Sequence, residues 1–414
     1  MTSNGRIFNP GVARSTAHLP EPPTHWSYSA LKEIETCPRR YVLEHASYPE
    51  LWSGFGYPQM PNTAALFGDV VHDSLELIVE ALVKAGCGSS NSTEGVAVLR
   101  KLGGYSAVAN SALEARIAKL EGNPRVDANR RARLLRQLAD RIPEARTELQ
   151  GYLQRMSLVP NHEEAEGSVG QPATDSSSSP NRRPLVIGSY PEASLRVDSL
   201  RVKGRVDLLT VFSDRVDIVD HKTGGEDPSH FDQLRFYAML WDQDDVANRD
   251  RTPLGVLTVS YPTRQVSIPA PDERELVALV ASSSVRVTDA DNQMKAQTAA
   301  AVTGEHCRLC SVRSLCGAYW QQMTPDPAAI PEGTWFDYEG IVGQQNGIRS
   351  WWMLARDSGE AQLLLRAPSL GDSLRPGHEL RLLGLRRDAD LDLEGAAATL
   401  TTNSEIFLVV GESD

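Results

Sequence analysis
The sequence predicts a mixed α/β fold followed by a small C-terminal β-barrel. Three stretches carry that expectation. Residues 203–209 and 216–221 are short, apolar and β-branched, and Ser213-Asp214 makes a turn between them, so they read as a hairpin. Residues 64–85 place Phe67, Val71, Leu75, Ile78 and Leu82 at helical spacing. Residues 333–414 hold five short strand-like runs, 335–342, 349–355, 361–366, 379–385 and 405–410, with turns at Asp357-Ser358-Gly359 and Arg375-Pro376-Gly377.

Taken in order, residues 1–24 are polar and proline-bearing and read as a disordered lead-in. Ser27 or Ser29 caps a helix with Leu31 and Ile34 on its apolar side, and the pattern runs on through Cys37-Pro38 to Tyr41. A Gly/Ser/Asn loop at 86–95 contains Cys87, which looks spare there. Helices follow at 105–121 and 127–156. Residues 160–184 are low in complexity and read as a mobile loop inside a body that spans 25–325. Strands resume at 185–187 and 190–197, and a helix at 231–241 follows the hairpin. A buried strand comes at 255–261, then a helix at 271–298. Pro325, Pro327 and Pro331 mark a linker to the tail.

Charge and length narrow the function classes. A chain of 414 residues can bury a sizeable core. No apolar run approaches the ~20 residues of a membrane span, and no apolar segment follows the N-terminal residues, so the cytoplasm is the expected location. The net charge of −12 is unlike a nucleic-acid binder. Its distribution is less so. Between Arg100 and Arg155 there are twelve basic residues against six acidic ones, an excess of six. Such a basic helical face, with Arg130, Arg131 and Arg133 at its centre, suits a phosphate backbone.

The hairpin carries the chemistry. Alternation puts Asp220 and Lys222 on one face of their strand, and Asp207 on the neighbouring strand can reach it. Two carboxylates and a lysine in otherwise apolar strands form a divalent-metal site with an amine beside it. Singly, each has a plainer reading: Asp207 and Asp220 as edge carboxylates paired with Arg205 or Lys203, and His72 as a satisfied helix histidine.

With Gly204-Arg205-Val206-Asp207, Asp220-His221-Lys222 and Gln233-x3-Tyr237 in line, residues 26–320 resemble the PD-(D/E)XK nuclease superfamily. They look most like its RecB-type branch, with the AddB nuclease domain and the CRISPR-associated adaptation nucleases. A Cys37-Pro38-Arg39-Arg40-Tyr41 helix, a Gly68-x3-His72 helix and a terminal three-cysteine cluster complete the order of pieces. The resemblance implies a restriction-endonuclease-like core, a central mixed sheet flanked by helices. It implies one or two Mg²⁺ or Mn²⁺ ions held by His72, Asp207, Asp220 and the backbone carbonyl of His221. It implies catalysis by Asp207, Asp220 and Lys222, with Gln233 and Tyr237 orienting substrate or Lys222, and Glu192 as an auxiliary acid. The side chain of His221 points away from Asp220 and is assigned no ligand role.

Cys307, Cys310 and Cys316 have a C-x2-C-x5-C spacing, and four thiolates suit iron–sulfur or zinc. The resemblance supplies Cys37 as the fourth and favours a [4Fe–4S] cluster, a staple across a very long loop. The tail looks like an OB-fold, with Arg349, Trp351 and Trp352 as candidates for contact with single strands, although one of the two tryptophans belongs to a core. No G-x4-G-K-[S/T] motif is present, so unwinding is left to another protein, a helicase or a repair or defence partner. The expected activity is a metal-dependent deoxyribonuclease, an exonuclease on single-stranded DNA or DNA ends. A non-catalytic DNA-binding or scaffold subunit and an RNA-directed nuclease are the alternatives.

Overall fold
The computed structural model describes residues 7–8, 17–160, 182–295, 299–322, 326–368, 374–389 and 395–409. Most of the expected lead-in and nearly all of the expected loop at 160–184 lie outside the described residues. Two mixed sheets, each flanked by helices, organise the rest.

The first sheet is built from β2 (Gly188–Val197), β3 (Val202–Val211), β4 (Val216–His221), β5 (Leu254–Ser260) and β6 (Gln265–Pro269), in that spatial order, while β1 (Ile7–Phe8) belongs to the second sheet. Neighbours are antiparallel except β4 and β5, which run parallel with Asp220 opposite Val259. A parallel pair needs a crossover, and the chain makes it through a helix (Ser229–Gln243, named α8 in the chain numbering below). The crossover therefore lays Gln233 and Tyr237 over the end of the strand that carries Asp220.

Helices cover both faces. On one face, α1 (Tyr28–Thr36), α2 (Pro38–His45), α8 and α9 (Glu273–Lys295) pack on Val206, Leu209, Ile218 and Leu257. On the other, α3 (Thr63–Lys84), α4 (Thr93–Lys101), α5 (Tyr105–Ala118), α6 (Ala128–Ala139) and α7 (Ile142–Gln154) build a helical layer that meets the sheet at Leu208 and Val219. Sharp starts come from caps. Ser27 accepts from the Ala30 N–H, Asn62 from the Ala64 N–H and Asp127 from the Arg130 N–H.

Several sequence expectations are corrected here. The first helix does not run through Cys37-Pro38. Cys37 is extended, with φ −160°, and Pro38 opens α2, because proline disfavours the helical region for the residue before it. The helix expected over 127–156 is broken at Asp140-Arg141, where Pro143 starts α7 at its N-terminal turn. Residues 185–187 form no strand. Helix α4 and strand β6, only nine and five residues long, were not expected. Cys87 is not a loop residue in solvent but part of the helical core.

In the second sheet, β1 pairs with β12 (Glu405–Leu408), followed by β10 (Glu379–Arg387), β11 (Ala396–Thr399), β9 (Ala361–Arg366), β8 (Ser350–Leu354) and β7 (Trp335–Gln345). β10 also pairs with β7, so the pairings run in a ring through β7, β8, β9, β11 and β10, with β9 and β11 parallel. Trp351 is buried inside this sheet's own core with Met353 and Leu363, so it offers no stacking face. Trp352 is half-buried and Arg349 exposed.

Arg125 joins the two halves. It lies on the basic stretch but is buried, gripping Glu405 of β12 through two bonds of 2.9 and 2.8 Å. It also donates to the carbonyls of Pro58 and Ser311. Arg130 and Arg133 donate to Thr402, and Arg131 pairs with Glu121, so the three arginines expected to meet nucleic acid have partners within the protein. Replacing Arg125 by Met is expected to lower stability by about 3–5 kcal/mol, because Glu405 is left as a largely buried, unpaired carboxylate. Urea unfolding of Arg125→Met measures this, and adding Glu405→Gln is expected to restore part of the loss.

Candidate active site
The site forms at the C-terminal end of β4, beside the middle of β3. Strand geometry fixes which way each group points. Ile218 and Asp220 face α8, while Val219 and His221 face α3 and α7. The His221 ring is buried edge-on against Tyr152, with centroids 5.1 Å apart, and burial holds its pKa down near 3, so it is neutral. Its backbone N–H donates to Asp207 Oδ2 at 2.6 Å and locks that carboxylate beside the strand end.

On the α8 side a chain of contacts starts at Asp220, which is 1% exposed. Lys222 Nζ lies 2.8 Å from Asp220 Oδ2 and donates to Gln233 Oε1 at 3.0 Å; Gln233 Nε2 donates to the Tyr237 hydroxyl at 2.7 Å. Four residues that the sequence put in line thus form one connected series. Gly204 is what admits it. A Cβ there would lie 2.6 Å from Leu240 and 2.9 Å from the Tyr237 ring.

On the α3 side the structure groups His72, Glu192 and Asp207, whose donor atoms all lie within 4.8 Å of one another. His72 Nδ1 is 3.8 Å from Asp207 Oδ2. Glu192, expected only as an auxiliary acid, is therefore one of the three, while Asp220 stands outside that group on its lysine. Glu192 has φ +53°, a left-handed backbone that costs a β-carbon residue on the order of 1 kcal/mol. The β2–β3 register is the same on either side of it, with Pro191 opposite Leu208 and Ala193 opposite Val206. An imidazole and two carboxylates at this spacing suit a hard divalent cation such as Mg²⁺ or Mn²⁺. Burial raises the pKa of Asp207, Asp220 and Glu192, and the negative neighbours Asp207 and Glu76 raise it further. A cation would relieve that excess of buried negative charge.

Three further groups support the site. Tyr152 donates to the Lys222 carbonyl at 2.9 Å from a helix 70 residues away. Thr223 Oγ1 lies 2.9 Å from where a Cβ on Gly68 would stand, so glycine lets α3 approach the Asp-x-Lys strand. Arg205 pairs with both Glu192 and Glu76, the latter one turn beyond His72. Each depends on contacts between distant segments.

The cysteines form a second centre. Cys37, from the junction of α1 and α2, lines one pocket with Cys307, Cys310 and Cys316, and Arg40 and Arg313 stand around it. No three of the four sulfurs lie within 4.8 Å of one another. Burial raises the Cys310 thiol to about 12. The loop that bears these cysteines is tied on both sides. Ser311 donates to Glu44 of α2, Arg313 and Tyr319 donate to Asp337 of β7 at 2.7 and 2.8 Å, and Arg381 of β10 donates to the Ser314 carbonyl.

A mixed sheet flanked by helices thus carries two acids and a lysine where β4 ends beside β3. The model of the PD-(D/E)XK nuclease superfamily matches residues 25–317, and the chain belongs to that family. Its members are generally nucleases that use divalent metals and act on DNA. No curated protein matches the sequence. Similar solved structures include the p204 HINb domain, at 16% identity over 28% of this chain and 56% of that one, TM-score 0.19. SSO0001 matches at 18% over 31% and 60%, TM-score 0.20. A murine DNA-binding protein bound to double-stranded DNA matches at 8% over 56% and 98%, TM-score 0.20. The first two are thus spanned over less than two thirds of their length, and at these TM-scores none bears on fold or function. Among the described residues no helix is long and apolar enough to cross a membrane.

Two outcomes test the geometry. Gly204→Ala is expected to push the Tyr237 ring off Gln233 and lower turnover between about ten- and a hundredfold in a protein that still folds; steady-state kinetics beside a circular dichroism spectrum checks it. Metal affinity is expected to fall as the pH drops through about 6, where Asp207 and Asp220 take up protons. The ion and the proton compete for the same oxygens, so affinity rises with pH and levels off once both acids are ionised. Mn²⁺ titrations at three pH values measure the slope.

Proposed function
We propose that the chain is a Mg²⁺- or Mn²⁺-dependent deoxyribonuclease of the RecB-like branch that acts on single-stranded DNA or DNA ends as an exonuclease. The connected series Asp220–Lys222–Gln233–Tyr237 beside the His72/Glu192/Asp207 group carries this reading. His72, Asp207, Asp220 and the His221 carbonyl would hold the metal, with Glu192 added by its proximity. When bound, the ion lowers the pKa of water and neutralises charge on the phosphate. Lys222, held by Asp220 and Gln233, presents its ammonium where negative charge grows. Gln233 fixes that amine by spending its carbonyl on it and its amide on Tyr237, and Tyr152 fixes the strand backbone behind Lys222.

The resemblance favours a [4Fe–4S] cluster over zinc at Cys37, Cys307, Cys310 and Cys316, which line one pocket. The neighbouring Arg40 and Arg313 suit the cluster's negative charge. The chain then divides into a nuclease domain over 25–325 and an OB-like domain over 333–414. The ring of pairings with β9 and β11 parallel supports that second assignment. Arg349 and Trp352 remain its candidates for strand contact. Without a nucleotide-hydrolysis motif, the enzyme works on strands opened by a helicase or another repair, recombination or defence protein.

Cleavage of labelled single- and double-stranded DNA and of RNA, with Mg²⁺ or Mn²⁺, tests the function. Asp207→Ala and Asp220→Ala are each expected to lose on the order of a thousandfold in rate. Activity equal to the unaltered protein in both variants would overturn the site and leave a binding or scaffold role. Anaerobically purified protein is expected to be brown with iron and sulfide bound; a colourless protein with stoichiometric zinc rules the cluster out.

A further inference from the structure
Among the described residues, Arg205 is a largely exposed cation that pairs with the acid group of the metal site. Its Nε contacts Glu192 Oε2, and its Nη2 donates to Glu76 Oε1 at 3.1 Å. The side chain is 61% exposed, so the rest of the guanidinium faces water over the site. Glu192 is thus claimed twice: by the guanidinium, and by the group it forms with His72 and Asp207. A carboxylate given to a divalent ion keeps less charge for an arginine, and a guanidinium loosened from one carboxylate is a fork matched to a phosphate. Glu76, 30% exposed, anchors the other arm, so the fork stays at the mouth of the site when Glu192 turns away.

We propose that Arg205 exchanges partners during the reaction cycle. It holds Glu192 in the metal-free enzyme and passes to a phosphate of the DNA strand once Glu192 ligates the ion, with Glu76 keeping it in place. Arg205 is then a substrate-contacting residue for the phosphate at or next to the scissile bond. The proposal rests on the nuclease reading above.

Two kinds of measurement separate this from a purely bracing role. The first is Mn²⁺ binding to DNA-free protein, read from the electron paramagnetic resonance of the free ion. If Arg205 competes for Glu192, Arg205→Met binds Mn²⁺ more tightly. If Arg205 merely braces Glu192, the variant binds it more weakly. The second is kcat/KM on a single-stranded oligonucleotide at saturating Mn²⁺ across a range of KCl. Arg205→Met is expected to lose about tenfold, mostly through KM, as one charged hydrogen bond to phosphate is removed. Its slope of log(kcat/KM) against log[KCl] becomes shallower by about 0.7, the share of one phosphate contact on a single strand. Arg205→Lys keeps the charge and is expected to keep the slope. Weaker Mn²⁺ binding, or an unchanged salt slope in Arg205→Met, overturns the proposal. Should the unaltered protein bind no Mn²⁺ and cut no DNA, it is the nuclease reading that has failed.

Discussion
Everything at the strand ends follows from placing Asp207 and Asp220 side by side out of water. Two carboxylates in a low-dielectric setting repel each other and resist ionisation, and the pKa of both is raised. The surrounding structure answers that charge on each side of the sheet. On the α8 side Lys222 sits on Asp220, and Gln233 and Tyr237 hold Lys222. On the α3 side the His221 N–H and the His72 ring face Asp207. The parallel β4–β5 pair matters because it forces the crossover that brings α8 over Asp220. An amine held between an acid and an amide is thus a product of topology as much as of residue type.

The cysteine loop plays a comparable part between the α/β body and the C-terminal strands. Its neighbours come from α2, from the segment before α6 and from β7 and β10. Cys307 packs with Tyr319, Trp320, Leu383 and Phe407 in one apolar cluster. The same few residues therefore close the α/β body and seat the C-terminal strands on it. That explains why much of the basic stretch is not free surface. Arg125, Arg130 and Arg133 are spent on that junction, and Arg116 on Asp69 and Asp73 of α3. A surplus of positive charge in the sequence does not by itself make a positive face.

The site was more legible than the fold around it. Asp207, Asp220, Lys222, Gln233 and Tyr237 lie within 31 residues, on two strands and a helix whose periods of 2 and 3.6 already set their directions. The helix of His72 was readable from its apolar stripe. Glu192 was harder to place, because its left-handed backbone is a conformation that a strand reading does not anticipate. Tyr152 left no local trace, and Arg205, readable as a partner for Asp207, gave no sign that it pairs with Glu192 and Glu76. The helix break at Cys37-Pro38 was readable in principle, since proline restrains the residue before it, but the continuing apolar pattern outweighed that sign.

The sequence by itself determined the chemical groups, their order and the local period of the elements that carry them, because side-chain direction within a strand or helix is a near-neighbour property. Only the tertiary structure decided which acids share a cation-sized space, which tryptophan is core and which arginines are occupied. These depend on where segments tens to hundreds of residues apart come to rest. Arg125 meets Glu405 across 280 positions, and Trp351 faces inward only because of the sheet that closes around it.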